Sequence, residues 1–89
     1  MSGHGEREVR IYRSARRQEM YLYVDVAEDL SRVPEALLQR FGKPLPALEL
    51  LLTPQRKLAR VDVTKVLAAI AAEGYYLQMP PASSYGHPV

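Results

Sequence analysis

The stretch Glu8–Val26, EVRIYRSARRQEMYLYVDV, decides the fold of this chain. Apolar and polar residues alternate over its first part, as is typical of a half-buried strand. Its last part, Met20–Val26, is rich in tyrosine and valine, which favour strands. The connection Ala15–Glu19 is too short for a crossover helix. The stretch therefore predicts a β-hairpin.

Two helices are predicted downstream of the hairpin. The first covers Pro34–Phe41, because proline is tolerated at the first position of a helix, and it ends at Gly42. Apolar residues recur along it at helical spacing. The second helix begins after Asp62, a good N-cap residue, and ends at Gly74.

Two further strands complete the pattern. Ala47–Thr53 is almost entirely apolar and is flanked by prolines, so we interpret it as a short strand covered on both faces. We expect Leu50 to be buried within it. Tyr75–Met79 is the predicted last strand. The first and last strands are half-polar, and we expect them at the edges of the sheet.

Together these segments predict an α/β fold. The element order is β-β-α-β-α-β, with a four-stranded sheet and two main helices in one small domain, as 89 residues allow. Residues 1–7 and 82–89 lack apolar periodicity and are predicted to be flexible tails around a domain at 8–81. There is no apolar stretch of ~20 residues and no export leader, so we expect neither a membrane span nor secretion.

The composition excludes several kinds of chemistry. The chain has no cysteine, which removes disulfides, thiolate metal sites and cysteine nucleophiles. Both histidines, His4 and His87, lie in the predicted tails, where a general base would not be held in place. The sequence therefore indicates no catalytic residue, no metal site, no cofactor and no small-molecule substrate.

Four acidic residues lie close together in the sequence. They could suggest a cation site or an acid–base pair, but the glycine and ligand spacing of an oxygen-rich cation loop are missing. We interpret them as structural, with the last one complementing a helix dipole. They are Asp25, Glu28, Asp29 and Glu35.

Basic residues form two groups in a chain whose net charge is only +2. They are candidate residues for binding an anion or a nucleic acid, and tyrosines on the strands could stack on bases. The alternative is a solvated basic surface with tyrosines packed in the core. The first group is Arg13, Arg16 and Arg17, and the second is Arg56, Lys57 and Arg60.

Several motifs, in order and at consistent spacing, resemble the YcgL domain family of proteobacteria. They are Ile11–Ser14, Tyr21–Val24, Val33–Glu35 with Phe41-Gly42, Arg56–Ala59 and Gly74–Pro81. The resemblance covers about Val9 to Pro81 and implies a small cytoplasmic bacterial protein with an α/β/α sandwich fold. It implies no catalytic residue. The chain departs from many members in lacking a cysteine in its first strand.

Three classes of function remain open from the sequence. The first is a non-enzymatic module that binds another protein, which the small core and the apolar run Val66–Ala72 of the second helix favour. The second is an RNA-associated or anion-binding module that uses the two basic groups. A small enzyme is the third class, and no motif supports it.

Overall fold

The computed structural model describes residues 6–58 and 61–80. Their elements, in chain order, are β1 (Arg7–Ser14), β2 (Tyr21–Asp25), a 3-10 helix (Asp29–Arg32), α1 (Glu35–Phe41), β3 (Pro44–Leu52), α2 (Val63–Glu73) and β4 (Tyr75–Gln78). The α/β class and the predicted order of the strands and the two main helices are confirmed. β1 begins at Arg7, within the range predicted as a tail; residues 1–5 and 81–89 lie outside the described residues. No helix of the described ranges has the length and apolar character needed to cross a bilayer.

The four strands form one antiparallel sheet in the order β3-β1-β2-β4. β2 is central and β4 is an edge, as the sequence predicted. The other two assignments were wrong, because β1 is a central strand and β3 is an edge.

β1 is central although it looks half-polar, because its polar groups have cross-strand partners. Arg10 lies between two carboxylates, at 2.6 Å from Glu49 and 3.0 Å from Asp29. The ring of Tyr12 is buried, and its hydroxyl donates to Asp29 at 2.6 Å. Alternation along β1 thus reflects two covered faces, one of which includes an ion-pair network.

β3 is an edge although it is the most apolar strand. Proline cannot donate to a ladder and is confined to edges or bulges, and β3 contains Pro44 and Pro46. A bulge follows these prolines, since Ile11 pairs with Leu48 while Tyr12 pairs with Pro46. Leu50 is only half-buried, so the expectation that this strand is covered on both faces was wrong.

The hydrophobic core is divided between the two faces of the sheet. On one face α2 packs against the sheet, and on the other lie α1 and the 3-10 helix. The α2-side core consists of Val9, Ile11, Tyr23, Leu52, Val63, Val66, Leu67 and Ile70. The α1-side core consists of Tyr12, Met20, Leu22, Val24, Val33 and Phe41. This is the three-layer arrangement that the family resemblance implied.

The helix ends follow local chemistry. Pro34 is the N-cap of α1 rather than its first residue, and its carbonyl accepts the first helical hydrogen bonds. Asp62 caps α2 as predicted, with its carboxylate accepting the Thr64 N–H at 3.0 Å. Hydrogen bonds that Thr64 donates to this carboxylate hold the pKa of Asp62 below its usual value. Gly74 ends α2 in the left-handed conformation at φ 92°.

Candidate functional site

The three arginines of the β1–β2 hairpin lie around one surface depression of about 470 Å³. Arg13 comes from the end of β1, and Arg16 and Arg17 come from the connecting loop. Tyr21 at the start of β2 completes the lining. The structure therefore brings the first predicted basic group together.

The second basic group is placed differently. Arg56 and Lys57 are exposed in the connection between β3 and α2, and Arg60 lies outside the described residues. The backbone N–H of Arg56 donates to the carbonyl of Thr53, directly after β3. Because β3 starts beside Ser14 and ends beside Arg7, Arg56 lies at the end of the sheet opposite the hairpin.

Ser14 holds the hairpin loop in place. Its buried hydroxyl oxygen accepts the backbone N–H groups of Arg16 and Arg17 at 3.0 and 2.9 Å. The same hydroxyl donates to the carbonyl of Phe41, at the end of α1. One side chain thus links the loop to the helix and positions two of the candidate arginines.

We expect Ser14→Ala to lower the free energy of unfolding by ~1–3 kcal/mol. The two loop N–H groups and the Phe41 carbonyl would lose the hydroxyl as their hydrogen-bond partner. Urea unfolding monitored by circular dichroism measures this loss. Ser14→Thr keeps the hydroxyl and is the matched control. Equal stability of Ser14→Ala and the wild type would contradict the role given to this hydroxyl.

Two basic residues that the sequence did not single out join this end of the molecule. The backbone N–H of Ala15 donates to the Lys43 carbonyl at 3.1 Å, and the Arg16 guanidinium approaches the Gln39 carbonyl at 3.4 Å. These contacts place the end of α1, with Arg40 and Lys43, beside the hairpin. The excess of basic residues in this part of the sequence was the only signal, and it did not indicate which residues would meet.

The tyrosines are mainly packing residues. Tyr12 and Tyr23 are buried, and the Tyr23 and Tyr76 rings meet edge to face with centroids 5.9 Å apart. Tyr75 is half-buried against the α1-side core. Tyr21 is half-buried and reaches the hairpin depression. Of the tyrosines on the strands, Tyr21 is therefore the candidate for stacking on bases at the basic end.

The acidic residues near the end of β2 have structural partners. Asp25 accepts from Arg7 at 2.9 Å and from the Ala27 N–H at 2.7 Å. Glu28 lies 3.5 Å from Arg32, four residues away. Glu35 lies in the first turn of α1, where it complements the helix dipole. No group of three or more metal-ligating side chains occurs among residues 6–58 and 61–80.

The Tyr12–Asp29–Arg10 network connects two of the layers. Desolvation by burial is the main cause that raises the pKa of the Tyr12 phenol above its usual value, and the hydrogen bond to Asp29 adds to it. Hydrogen bonds to Tyr12 and Glu49 raise the pKa of Arg10. The network is a connection between β1, β3 and the 3-10 helix.

The large exposed apolar side chains of the described residues lie on β3 and directly after β4 rather than on α2. Leu48 is 55% exposed and Leu51 is 48% exposed on β3, and Met79 after β4 is 56% exposed. On α2, Val66, Leu67 and Ile70 are buried, and alanines make up much of the exposed face. The apolar run that drew attention in the sequence is thus explained by burial together with the helix propensity of alanine.

Comparison with known proteins assigns the family. The model of the YcgL domain matches residues 9–81. A YcgL domain-containing protein of Stutzerimonas stutzeri is 62% identical over 72 residues, which cover 81% of this chain and 74% of the relative. A YcgL domain-containing protein of Pseudomonas putida is 61% identical over 71 residues, which cover 80% of this chain and 73% of the relative. A third, of Chromohalobacter salexigens, is 60% identical over 72 residues, 81% of this chain and 75% of the relative. The chain belongs to the YcgL domain family.

Proposed function

We propose that this YcgL-family chain is a non-enzymatic protein-interaction module that acts in the cytoplasm. The single observation that carries the proposal is the edge of β3, which, among the residues that the structure describes, combines unpaired strand backbone with exposed leucines. Such an edge is a template for pairing with a strand of another chain. The absence of cysteine and the position of both histidines outside the predicted domain add support from the sequence.

Only part of β3 is protected against such pairing. Natural edges are blocked by prolines, bulges or charges, and β3 has Pro44, Pro46 and a bulge in its first half. The second half, Leu48–Leu52, has a single charged residue, Glu49, whose carboxylate is already paired with Arg10 at 2.6 Å. This half therefore offers backbone groups and leucines without a free charge.

The expected occupant is an extended, apolar segment of a partner protein. Leu48 lies on the α2 side of the sheet, because it pairs with Ile11 of the α2-side core. Leu51 pairs with Glu8 and lies on the other side. A strand added at this edge would contact apolar surface on both faces, so it needs apolar residues at successive positions. A second copy of the chain is one outcome of the test.

We expect the double variant Leu48→Lys, Leu51→Lys to lose a partner that the tagged wild-type chain retains. The charges oppose strand addition, and exposed substitutions typically change stability by only ~0.5 kcal/mol. The measurement is affinity capture from a nuclease-treated lysate of Pseudomonas putida, with partners identified by mass spectrometry. Ala68→Lys, on the exposed face of α2, is the matched control and should retain the partner.

Two results would contradict the proposal. One is a partner that the double variant binds as well as the wild type does. The other is a wild-type chain that sediments as a dimer while the double variant sediments as a monomer. In that case the edge is occupied by a second copy rather than by another protein.

A second candidate, binding of RNA or another phosphate-bearing anion, is favoured by one specific observation. The hairpin arginines, Arg40 and Lys43 meet at one end of the molecule. Of these, Arg13, Arg17, Arg40 and Lys43 make no ion pair within the described part of the chain. Phosphates attract such clusters, and their binding weakens as salt rises.

We expect Arg13→Gln, Arg16→Gln, Arg17→Gln to reduce binding of single-stranded RNA if this candidate is right. Neutralising three phosphates predicts roughly a twentyfold loss of wild-type affinity for a fourfold rise in salt. The measurement is a titration of a single-stranded RNA at two salt concentrations. The matched triple variant Arg56→Gln, Lys57→Gln, Arg60→Gln tests the second basic group. Absent or salt-insensitive binding by the wild type would leave both groups as solubilising surface.

A further inference from the structure

A groove of about 270 Å³ lies between α1 and the edge strand β4. Its apolar lining comes from Met20, Leu37, Leu77 and Met79, which belong to the hairpin, α1, β4 and the segment after β4. Met20 is buried, Leu37 and Leu77 are half-buried, and Met79 is 56% exposed. The groove is therefore a continuation of the α1-side core that opens to solvent beside a sheet edge.

Two arginines complete the lining. Arg17 reaches the groove from the hairpin loop, and Arg40 reaches it from the last turn of α1. Both are exposed, and neither makes an ion pair among the residues that the structure describes. An apolar groove with two uncompensated positive charges favours a ligand that combines apolar and acidic groups.

The position of β4 indicates the form of the ligand. β4 pairs with β2 on one side and is the last strand of the sheet on the other. Leu77 projects to the α1 side, since it packs against the α1-side core. A groove between an edge strand and a helix is suited to an extended peptide, which adds a strand by main-chain hydrogen bonds and places alternate side chains in the groove.

We propose that this groove binds an extended acidic peptide segment of a partner protein, with an apolar side chain between the α1 and β4 leucines and carboxylates at Arg17 and Arg40. The inference rests on the proposed role as a protein-interaction module but concerns a different edge of the sheet from β3. The groove shares Arg17 and Arg40 with the candidate RNA cluster, whereas Arg13 lines the hairpin depression and not the groove.

The probe is the blocked peptide acetyl-Gly-Asp-Ser-Leu-Ser-Asp-Gly-amide, whose leucine and two aspartates share one face of an extended strand. It is titrated into the full ¹⁵N-labelled chain. We expect saturable binding, with the largest amide shifts in Tyr75–Gln78 and around Leu37. Arg40→Glu should weaken binding at least about tenfold, because a charge-assisted contact is replaced by a like-charge one. Arg13→Glu makes the same charge change outside the groove and should stay within about twofold.

Two further comparisons separate apolar recognition from charge. Met79→Asp should weaken binding, whereas Leu48→Asp should not, although the two side chains are equally exposed at 56% and 55%. A peptide with serine in place of the leucine should bind at least about tenfold more weakly. The β3 variant Leu48→Lys, Leu51→Lys should bind the peptide as the wild type does, so a failure of the β3 proposal leaves this test unaffected.

Several results would overturn the inference. One is no binding by the full chain at millimolar peptide, and another is equal weakening by Arg40→Glu and Arg13→Glu. Unchanged affinity of the serine peptide would reduce the effect to general charge attraction. Binding that begins only after residues 81–89 are removed would assign the groove to the chain's own segment. Displacement of the peptide by RNA with shifts confined to the hairpin would assign the arginines to nucleic acid.

Discussion

Leu52→Ala should lower the free energy of unfolding by ~2–5 kcal/mol, the range for a fully buried leucine. Leu52 is 0% exposed at the end of β3, where it belongs to the α2-side core. Removing its side chain leaves a cavity against α2 that the remaining core fills only in part. Equilibrium unfolding in urea measures the change, and an unchanged m-value would show that the unfolded state is unaffected.

The same strand supplies graded controls. Leu50 is half-buried, so Leu50→Ala should lower the free energy of unfolding by ~1–2 kcal/mol. The same substitution in a central strand covered on both faces would cost more. Leu48 is 55% exposed, and Leu48→Ala should change stability by at most ~0.5 kcal/mol. Equal losses at the three positions would mean that β3 is covered along its whole length and is not an open edge.

Phe41→Ala should destabilise the chain by ~3–5 kcal/mol, the range for a buried phenylalanine. Phe41 is 0% exposed and is among the largest fully buried side chains of the described residues. It anchors α1 to the sheet, and its carbonyl accepts the Ser14 hydroxyl that holds the hairpin loop. The loss therefore falls on the packing of α1 against the sheet, since alanine keeps the carbonyl that the Ser14 hydroxyl contacts.

Leu38→Ala is the matched control for this prediction. Leu38 lies on the same helix and is half-buried, so its truncation should cost about half as much. Thermal and urea unfolding of both variants, followed by circular dichroism, give the comparison. A loss below ~1.5 kcal/mol for Phe41→Ala would show that α1 does not depend on this side chain.

The two edges of the sheet differ in chemistry. Leu48–Leu52 of β3 is apolar, and its one carboxylate is paired with Arg10. β4 is flanked by the groove that Arg17 and Arg40 line. Opposite-charge complementarity suppresses wrong partners, so a neutral apolar strand and an acidic peptide would be directed to different edges. One small domain would then bind two kinds of segment without competition.

Local signals in the sequence were sufficient for most of the elements. Alternation in Glu8–Ser14, the proline before α1, the Asp62 cap and Gly74 each act within a few residues, and the structure confirms the elements that they predict. Chain order and the α/β class follow from these local features. The first basic group could also be predicted as a unit, because a five-residue hairpin connection holds Arg16 and Arg17 close to Arg13.

Strand order was decided only by tertiary structure. Apolar content suggested that β3 was central, whereas the prolines in its first half, which cannot donate to a second ladder, were the signal for an edge. β1 can be central because Arg10 forms ion pairs with two carboxylates, Glu49 on another strand and Asp29 on the 3-10 helix. Neither partner is visible from the residues of β1 alone.

The sequence by itself thus determined most of the elements and their order, because these depend on side-chain periodicity and on caps within one turn. Its ordered motifs carried the resemblance to the family. Only the tertiary structure decided which residues meet. The meeting of the hairpin with the end of α1, and of Leu37 with Leu77 across the groove, joins residues far apart in the chain. Such contacts depend on how the layers pack around the two cores, and no local pattern specifies that packing.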